Sequence, residues 1–469
     1  MKGDNVVSTA VNEPVVERIK QKHTLAKVLG PAHIWALGVG IVLVGEFMGW
    51  NFTIAKGGSM GSLIACWAVG LMYVVLVMCN SEIGCVMPEA GGQYVQAKYI
   101  LGPLAAFNVG LALIFEYVML EAADALVIGA LMQTLNPAIS PIPWIILSVA
   151  ILTWLNYRGV EATLNINLVI TAIAYVTIFI LLFSTKFYIP SASLLQTKEL
   201  MSSLPYGWIG IIAALQFGIW YYLGIEGAVL GAGECRSPGR SLPLGMLSGV
   251  VSLIIGATIT WYVASGLVHW EQLGASVYPL YDAALATKMP FVIAALFVGT
   301  MLSCLASANG CIVDSSRAWQ SMSNDHLVPN WFSAIHPVYK TPYRAVLFLV
   351  PIALSFAFTG LLDQVIAFSI LSALYDYILK AIIMFKFRQM WPLGSVERGY
   401  ISPWHPLPAT ILGILVLLIF AGFYLGYGIN LLAGTLFYIS ASVWFEVHRK
   451  KYVDYSSFIT TALPRPQGY

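Results

Sequence analysis

Hydrophobic positions in this chain neither alternate nor form narrow stripes. They run on for whole helical lengths, broken only by Gly, Pro and short clusters of charge. A bilayer core takes about 20 apolar residues to cross as a helix, and a helix that is apolar all round must face lipid or be buried. The pattern therefore predicts twelve membrane-spanning helices, numbered here as spans 1 to 12: residues 33–55, 61–80, 104–133, 142–157, 164–184, 207–230, 244–267, 290–310, 344–359, 364–386, 408–427 and 429–447. Residues 1–32 are polar and mixed in charge, with the helix-like run Val15-Val16-Glu17-Arg18-Ile19-Lys20. No apolar core precedes Pro31, so no cleavable signal is expected and span 1 stays in the mature protein.

Composition agrees. Of 469 residues, 59% are hydrophobic and 10% charged, with a mean hydropathy of +0.79; soluble domains carry about 45–50% apolar and about 25% charged residues. The lipid bilayer is the main solvent, which excludes a soluble enzyme and a nucleic-acid binder. The net charge of +2 says less than the positions of the charges. With the N-terminus placed in the cytoplasm, only Lys56, Lys186, Lys198 and Lys288 of the 24 Lys and Arg residues fall outside. That bias predicts both termini cytoplasmic and a multi-pass protein of the cell's inner (plasma) membrane. The expected organisation is a cytoplasmic tail 1–32, a ten-span core 33–386, two added spans 408–447 and a cytoplasmic tail 448–469. The six cysteines form no CxxC and mostly lie in apolar stretches, so they read as small buried hydrophobes.

Two spans are irregular. Span 1 holds Gly45-Glu46-Phe47-Met48-Gly49-Trp50-Asn51, and span 6 holds Gly224-Ile225-Glu226-Gly227 followed by Gly231 and Gly233. Glycine favours non-helical backbone, and a carboxylate at membrane depth is costly without water or a partner. Two interrupted segments five spans apart are the pointer to an inverted repeat, spans 1–5 against 6–10. The alternative is that the glycines only let helices pack closely.

Five carboxylates fall near mid-span: Glu46, Glu116, Glu121, Asp124 and Glu226. No Lys or Arg lies at matching depth in spans 1, 3 or 6. Such acids are relieved by protonation, by water or by a bound cation. Glu116 and Asp124 share a helix face two turns apart, and Glu121 lies three residues before Asp124; the plainer reading puts Glu121 and Asp124 in a wet vestibule. Asp376 with Lys380 and Asp314 with Arg317 read as structural ion pairs. Phe47, Trp50, Phe217, Trp220, Tyr221 and Tyr222 crowd the same region and could hold an ammonium over a ring face. Ser303 and Ser307, at i and i+4 in span 8, could hold Na⁺ together with span 1 carbonyls, or could simply bond their own helix. Gly57-Gly58-Ser59-Met60-Gly61 matches GxSxG without a preceding strand, and the seven histidines form no ligand set, so no catalytic residue, metal or cofactor is expected.

The chain resembles the amino acid–polyamine–organocation transporters over nearly its whole length. The resemblance rests on Tyr221-Tyr222-Leu223-Gly224-Ile225-Glu226-Gly227 continuing to Glu234-Cys235-Arg236-Ser237-Pro238-Gly239-Arg240-Ser241-Leu242-Pro243, on Pro88-Glu89-Ala90-Gly91-Gly92-Gln93-Tyr94, and on Ile335-His336-Pro337-Val338-Tyr339-Lys340-Thr341-Pro342. Within that superfamily, Gly45-Glu46-Phe47-Met48-Gly49-Trp50-Asn51 is similar to a signature of the ethanolamine permeases. The resemblance implies an all-α, LeuT-like 5+5 inverted repeat with broken helices 1 and 6, importing a small cationic amine, most simply ethanolamine, by alternating access. It implies a substrate site at Gly45, Glu46, Phe47, Gly49, Trp50, Ile219, Trp220 and Gly224, with Glu116 beside it; Glu121 and Asp124 are added as substrate-binding candidates from the sequence itself, departing from the resemblance and pointing to a diamine or larger cation. Trp220 falls on a gating aromatic of the superfamily and Glu226 on its buried span 6 acid, while Ser303 and Ser307 are further coupling candidates. Glu46 would repel a substrate carboxylate and attract an ammonium. A diamine, polyamine or amino acid permease is the nearest alternative, and an amine sensor or channel a more distant one. The coupling ion, H⁺ or Na⁺, and the choice between monomer and homodimer stay open.

Overall fold

The structure, a computed structural model, describes residues 27, 29–89, 91–184, 204–453, 455–458 and 463, with backbone alone for 160–165. Tail residues 1–26, Lys186, Lys198, Ala90, Arg465 and most of the stretch after 458 lie outside the described residues.

Helices make up the described residues almost entirely: α1 (Pro31–Met48), α2 (Trp50–Val86), α3 (Gln93–Leu101), α4 (Pro103–Leu135), α5 (Ile142–Arg158), α6 (Val160–Ser184), α7 (Gly207–Gly218), α8 (Pro238–Leu267), α9 (Trp270–Ala275), α10 (Pro279–Ala286), α11 (Pro290–Asn324), α12 (Tyr343–Ala357), α13 (Leu362–Met390) and α14 (Leu407–Trp444). Proline stands in the first turn of α1, α4, α8 and α11, where its missing N–H costs nothing and its fixed φ starts the helix. Among the described residues eight helices are long and apolar enough to cross a membrane, and α5 and α12 are shorter apolar helices. Of the long ones, α14 carries spans 11 and 12, and α2 carries the end of span 1 and all of span 2. The backbone turns at Gly58 (φ +68°) inside α2, where spans 1 and 2 meet, and at Tyr427 inside α14, where spans 11 and 12 meet.

The outer faces are greasy: Trp67, Ile151, Trp154, Ile173, Val176 and Val251 are exposed and apolar, as a lipid-facing surface requires. Inside, α4 packs on α11 and α13, while α1 packs on α6, α8 and α11. Small residues set these distances. Ile41 of α1 sits against Gly224 on one side and Gly310 of α11 on the other; a Cβ at either glycine would lie 2.3 or 2.5 Å from the Ile41 side chain.

The two interruptions are unequal. Span 6 ends its α-helix at Gly218, makes a 3-10 turn over Ile219–Tyr221, passes through left-handed Gly224 (φ +106°), and continues as a 3-10 run over Ile225–Glu234. Span 1 slips at one residue only. Gly49 keeps a near-helical conformation and its N–H still bonds the Gly45 carbonyl at 2.8 Å. The expected break in span 1 is thus a single-residue offset, because Gly49 can stay helical where Gly224 must take a conformation open mainly to glycine.

Candidate functional site

The site grows from the meeting of α1 with the broken span. The Trp220 carbonyl approaches α1 so closely that a Cβ on Gly45 would lie 2.0 Å from it. A Cβ on Gly49 would lie 3.1 Å from both the Trp220 and Tyr221 rings. Gly45 and Gly49 therefore let the two backbones meet, the packing role that small residues play between membrane helices. Trp50 stacks on Tyr221 with centroids 4.2 Å apart and donates its indole N–H to Thr260 of α8 at 2.9 Å. The Tyr221 hydroxyl pairs with Thr53 at 2.5 Å. Phe47 is buried in this core, and Phe52 lies against Phe217 and Trp220. Trp220 itself is 1% exposed, and its indole N–H has no acceptor among the described residues.

The Ile219 carbonyl, a candidate for the substrate ammonium, already accepts the amides of Tyr222 and Leu223 at 2.9 and 2.8 Å, so both its lone pairs are used. The Gly45 carbonyl accepts Gly49 N–H.

The five mid-span carboxylates are all buried, yet they fall in three separate places. Glu46 does not turn toward the acids of α4. Its carboxyl fills the space left by Gly256 of α8, where a Cβ would stand 2.4 Å from Oε2, and its titratable neighbours are Cys66, Tyr175, Tyr221 and Tyr222. Both Glu46 oxygens lack a donor among the described residues. Glu121 and Asp124 form the second place, with Ser307 of α11 as a neighbour of Asp124, and neither the four oxygens nor the Ser307 hydroxyl has a hydrogen-bond partner among the described residues. Glu116, expected beside Asp124, instead has Glu226 of the broken span as a neighbouring acid, and neither Glu116 oxygen has a hydrogen-bond partner among the described residues. Helix geometry explains the separation: five residues turn Glu121 well away from the Glu116 face.

Ser303 bonds the Thr300 carbonyl of its own helix at 2.8 Å. Ser307 faces Asp124, and α11 meets Gly40 of α1 through Ala306. Two expected ion pairs rearrange. Lys380 donates to Gln96 while the Asp376 oxygens have no donor, and Arg317 pairs with Glu234 at 2.6 Å rather than with Asp314. In each case a partner on another helix lies nearer than the one a single turn away.

Sequence reading missed the acids that do find bases. Glu82 of α2, fully buried, accepts Arg398 Nη1 on Oε1 and the Ser402 amide and Arg388 Nη2 on Oε2, each at 2.8 Å, and Arg388 Nε makes an ion-pair contact with Oε1 at 2.8 Å. Asp325 takes Lys98 and the Tyr94 hydroxyl, each at 2.7 Å. Their bases come from α3, α13 and the segment after α13, so no local spacing in the sequence could have signalled them.

An amino acid permease family matches residues 33–447. The chain belongs to the amino acid permease family. An uncharacterized transporter of Rhizobium meliloti is 53% identical over 95% of this chain and 97% of its own length. A branched-chain amino acid permease of Bacillus subtilis is 22% identical over 87% of this chain and 90% of its own. A methylthioribose transporter of the same organism is 23% identical over 68% and 72%. This amino acid permease relative is therefore a multi-pass membrane transporter of a small molecule and not an enzyme, and its candidate site is a set of buried acids around a broken helix.

Proposed function

We propose that this permease imports a small organic amine, ethanolamine being the first candidate, by alternating access. The fold proposed is twelve crossings with a five-plus-five inverted repeat, both termini cytoplasmic, in the plasma membrane. The observation that carries the reading is the set of buried acids without bases. Glu46, Glu121 and Asp124 have no Lys or Arg partner, so the region disfavours a substrate carboxylate and favours an ammonium. Glu46 receives the ammonium as α1 and α8 part, with Gly45, Gly49 and Gly224 holding the backbones close and Phe47, Trp50 and Trp220 as apolar walls. Trp220, buried with a free indole N–H, closes the site, and Glu226 ties protonation to the break in span 6. Family membership leaves the substrate open, since one relative carries the name of methylthioribose, which is not an amino acid.

The test is uptake of labelled ethanolamine into proteoliposomes, with unlabelled ethanolamine, putrescine, choline, glycine, serine and arginine as competitors. Competition by ethanolamine and close amines alone is expected, and Glu46→Gln is expected to lower uptake at least tenfold. The second reading, an amino acid permease, is favoured by the names of several relatives. Competition by serine or glycine establishes it and removes the argument from Glu46.

A further inference from the structure

We infer that the cleft between the end of α14 and the turn after α11 is a seat for the phosphate headgroup of an anionic phospholipid. The inference stands apart from the choice of substrate.

The cleft has a volume of about 430 Å³ and is lined by His326, Pro329, Asn330, Arg449 and Tyr452. Clefts that hold small ligands run to about 300–1,000 Å³. Hydrogen bonds fix its frame. Arg449 donates from Nε to the His326 carbonyl at 3.0 Å and from Nη2 to the Val328 carbonyl. His326 Nδ1 pairs with Asn330 Oδ1 at 2.8 Å. The His326 backbone stands at φ +61°, a left-handed conformation that a residue other than glycine keeps only where its surroundings hold it.

Charge makes the cleft a site for an anion. Carbonyls orient the Arg449 guanidinium without neutralising it, and Nη1 makes no hydrogen bond among the described residues. No acid among the described residues lies within ion-pair distance of Arg449 or Lys451. The two nearby carboxylates are already taken: Glu446 pairs with Lys450 at 2.6 Å, and Asp325 with Lys98 and Tyr94. Arg449 Cζ and Lys451 Nζ stand 5.3 and 5.0 Å from the centre of the Tyr452 ring, so two cations converge on the ring that lines the cleft. A guanidinium with unused N–H groups suits the oxygens of a phosphate.

Depth favours a lipid over a soluble phosphate. Arg449 lies two residues beyond predicted span 12, and Val443, Trp444 and Val447 just before it are exposed. Trp331, next to Asn330, is also exposed, with Arg344 5.6 Å over its ring. Exposed tryptophans mark the level at which hydrocarbon gives way to headgroups. The cleft therefore opens at phosphate level, and the apolar side chains beside it face acyl chains. A soluble phosphate meets the same cations but makes no use of that flank. A headgroup seated here ties the end of span 12 to the end of α11, the helix that packs on α1 and α4.

Native mass spectrometry of the full chain in detergent, titrated with dioleoylphosphatidylglycerol or dioleoylphosphatidylcholine, tests the seat. The parent is expected to bind the anionic lipid more tightly. Arg449→Gln and Lys451→Gln are each expected to weaken that binding about fivefold and to leave the zwitterionic lipid unaffected. Lys340→Gln removes an exposed lysine further along the same loop and is expected to change nothing. Lys451 is exposed and makes no hydrogen bond among the described residues, so its variant decides the matter even if Arg449→Gln loosens the turn. Equal binding of the two lipids by the parent, or equal weakening in Lys340→Gln, overturns the seat. Displacement of the bound lipid by millimolar glycerol 3-phosphate overturns the lipid as occupant in favour of a soluble phosphate. Uptake plays no part in this readout, so the outcome is independent of which substrate is carried.

Discussion

Glu46 and Glu82 are the same residue at the same burial, each with no exposed surface, and the protein treats them in opposite ways. Glu82 accepts hydrogen bonds from two arginines and a backbone amide on its two oxygens. Glu46 accepts none. The same division runs through the molecule. Acids at the end assigned to the cytoplasm, Glu82, Glu234 and Asp325, each have a base within 2.8 Å. Acids around the broken span have no base: Glu226 takes the Tyr377 hydroxyl and the Gly224 amide, and the carboxyl oxygens of Glu46, Glu116, Glu121 and Asp124 have no hydrogen-bond partner among the described residues. A carboxylate with its countercharge built in is part of the scaffold. One without it depends on something that arrives and leaves, which is the property a transported cation or proton needs.

Removing Glu82 is the harshest way to probe this division. Glu82→Ala strands two buried guanidinium groups, and breaking a buried pair costs about 3–5 kcal/mol. Thermal unfolding in detergent is expected to show a large fall in melting temperature, and an unchanged melting curve removes the scaffold assignment. Gly224→Ala comes next. It puts a Cβ on a residue with φ +106° and 2.3 Å from Ile41, so a loss of about 1–3 kcal/mol is expected, with uptake abolished. Thr260→Val is milder. It takes the acceptor from the Trp50 indole N–H, a change of about 1 kcal/mol, and the melting curve reads it. At the bottom of the scale, Glu46→Gln is expected to move stability by less than about 1 kcal/mol, since no partner is lost. The contrast sharpens if that variant melts like the parent yet fails to take up amine. It breaks if Glu46→Gln destabilises as much as Glu82→Ala does.

Hydropathy made the helices legible in the sequence. Apart from the interruptions at Gly49 and at residues 222–224, the predicted spans fall largely on helical backbone, since a run of apolar residues leaves a membrane segment few other options. The break in span 6 was legible too, because Gly224 stands where a left-handed turn is needed. The smaller offset in span 1 was overstated, as Gly49 can remain near-helical. The grouping of the acids was only partly readable. Buried acids without local bases are visible along the chain, but which of them meet depends on how whole helices are rotated. Glu116 and Glu226 are separated by 110 positions, and nothing in the spacing of either announces the other. The same limit hid Glu82 with Arg388 and Arg398, and it made Asp376 with Lys380 look like a pair.

Ile41 has a further consequence. Its branched side chain is seated in two notches at once, one made by Gly224 and one by Gly310. A tooth held on both sides cannot slide gradually along its rack; it must lift clear before it can settle elsewhere. Movement of α1 relative to the broken span and α11 is therefore a step between seated positions rather than a continuous drift. Widening the tooth jams the step, and trimming it to alanine lets the helices slip between positions that the parent protein keeps distinct.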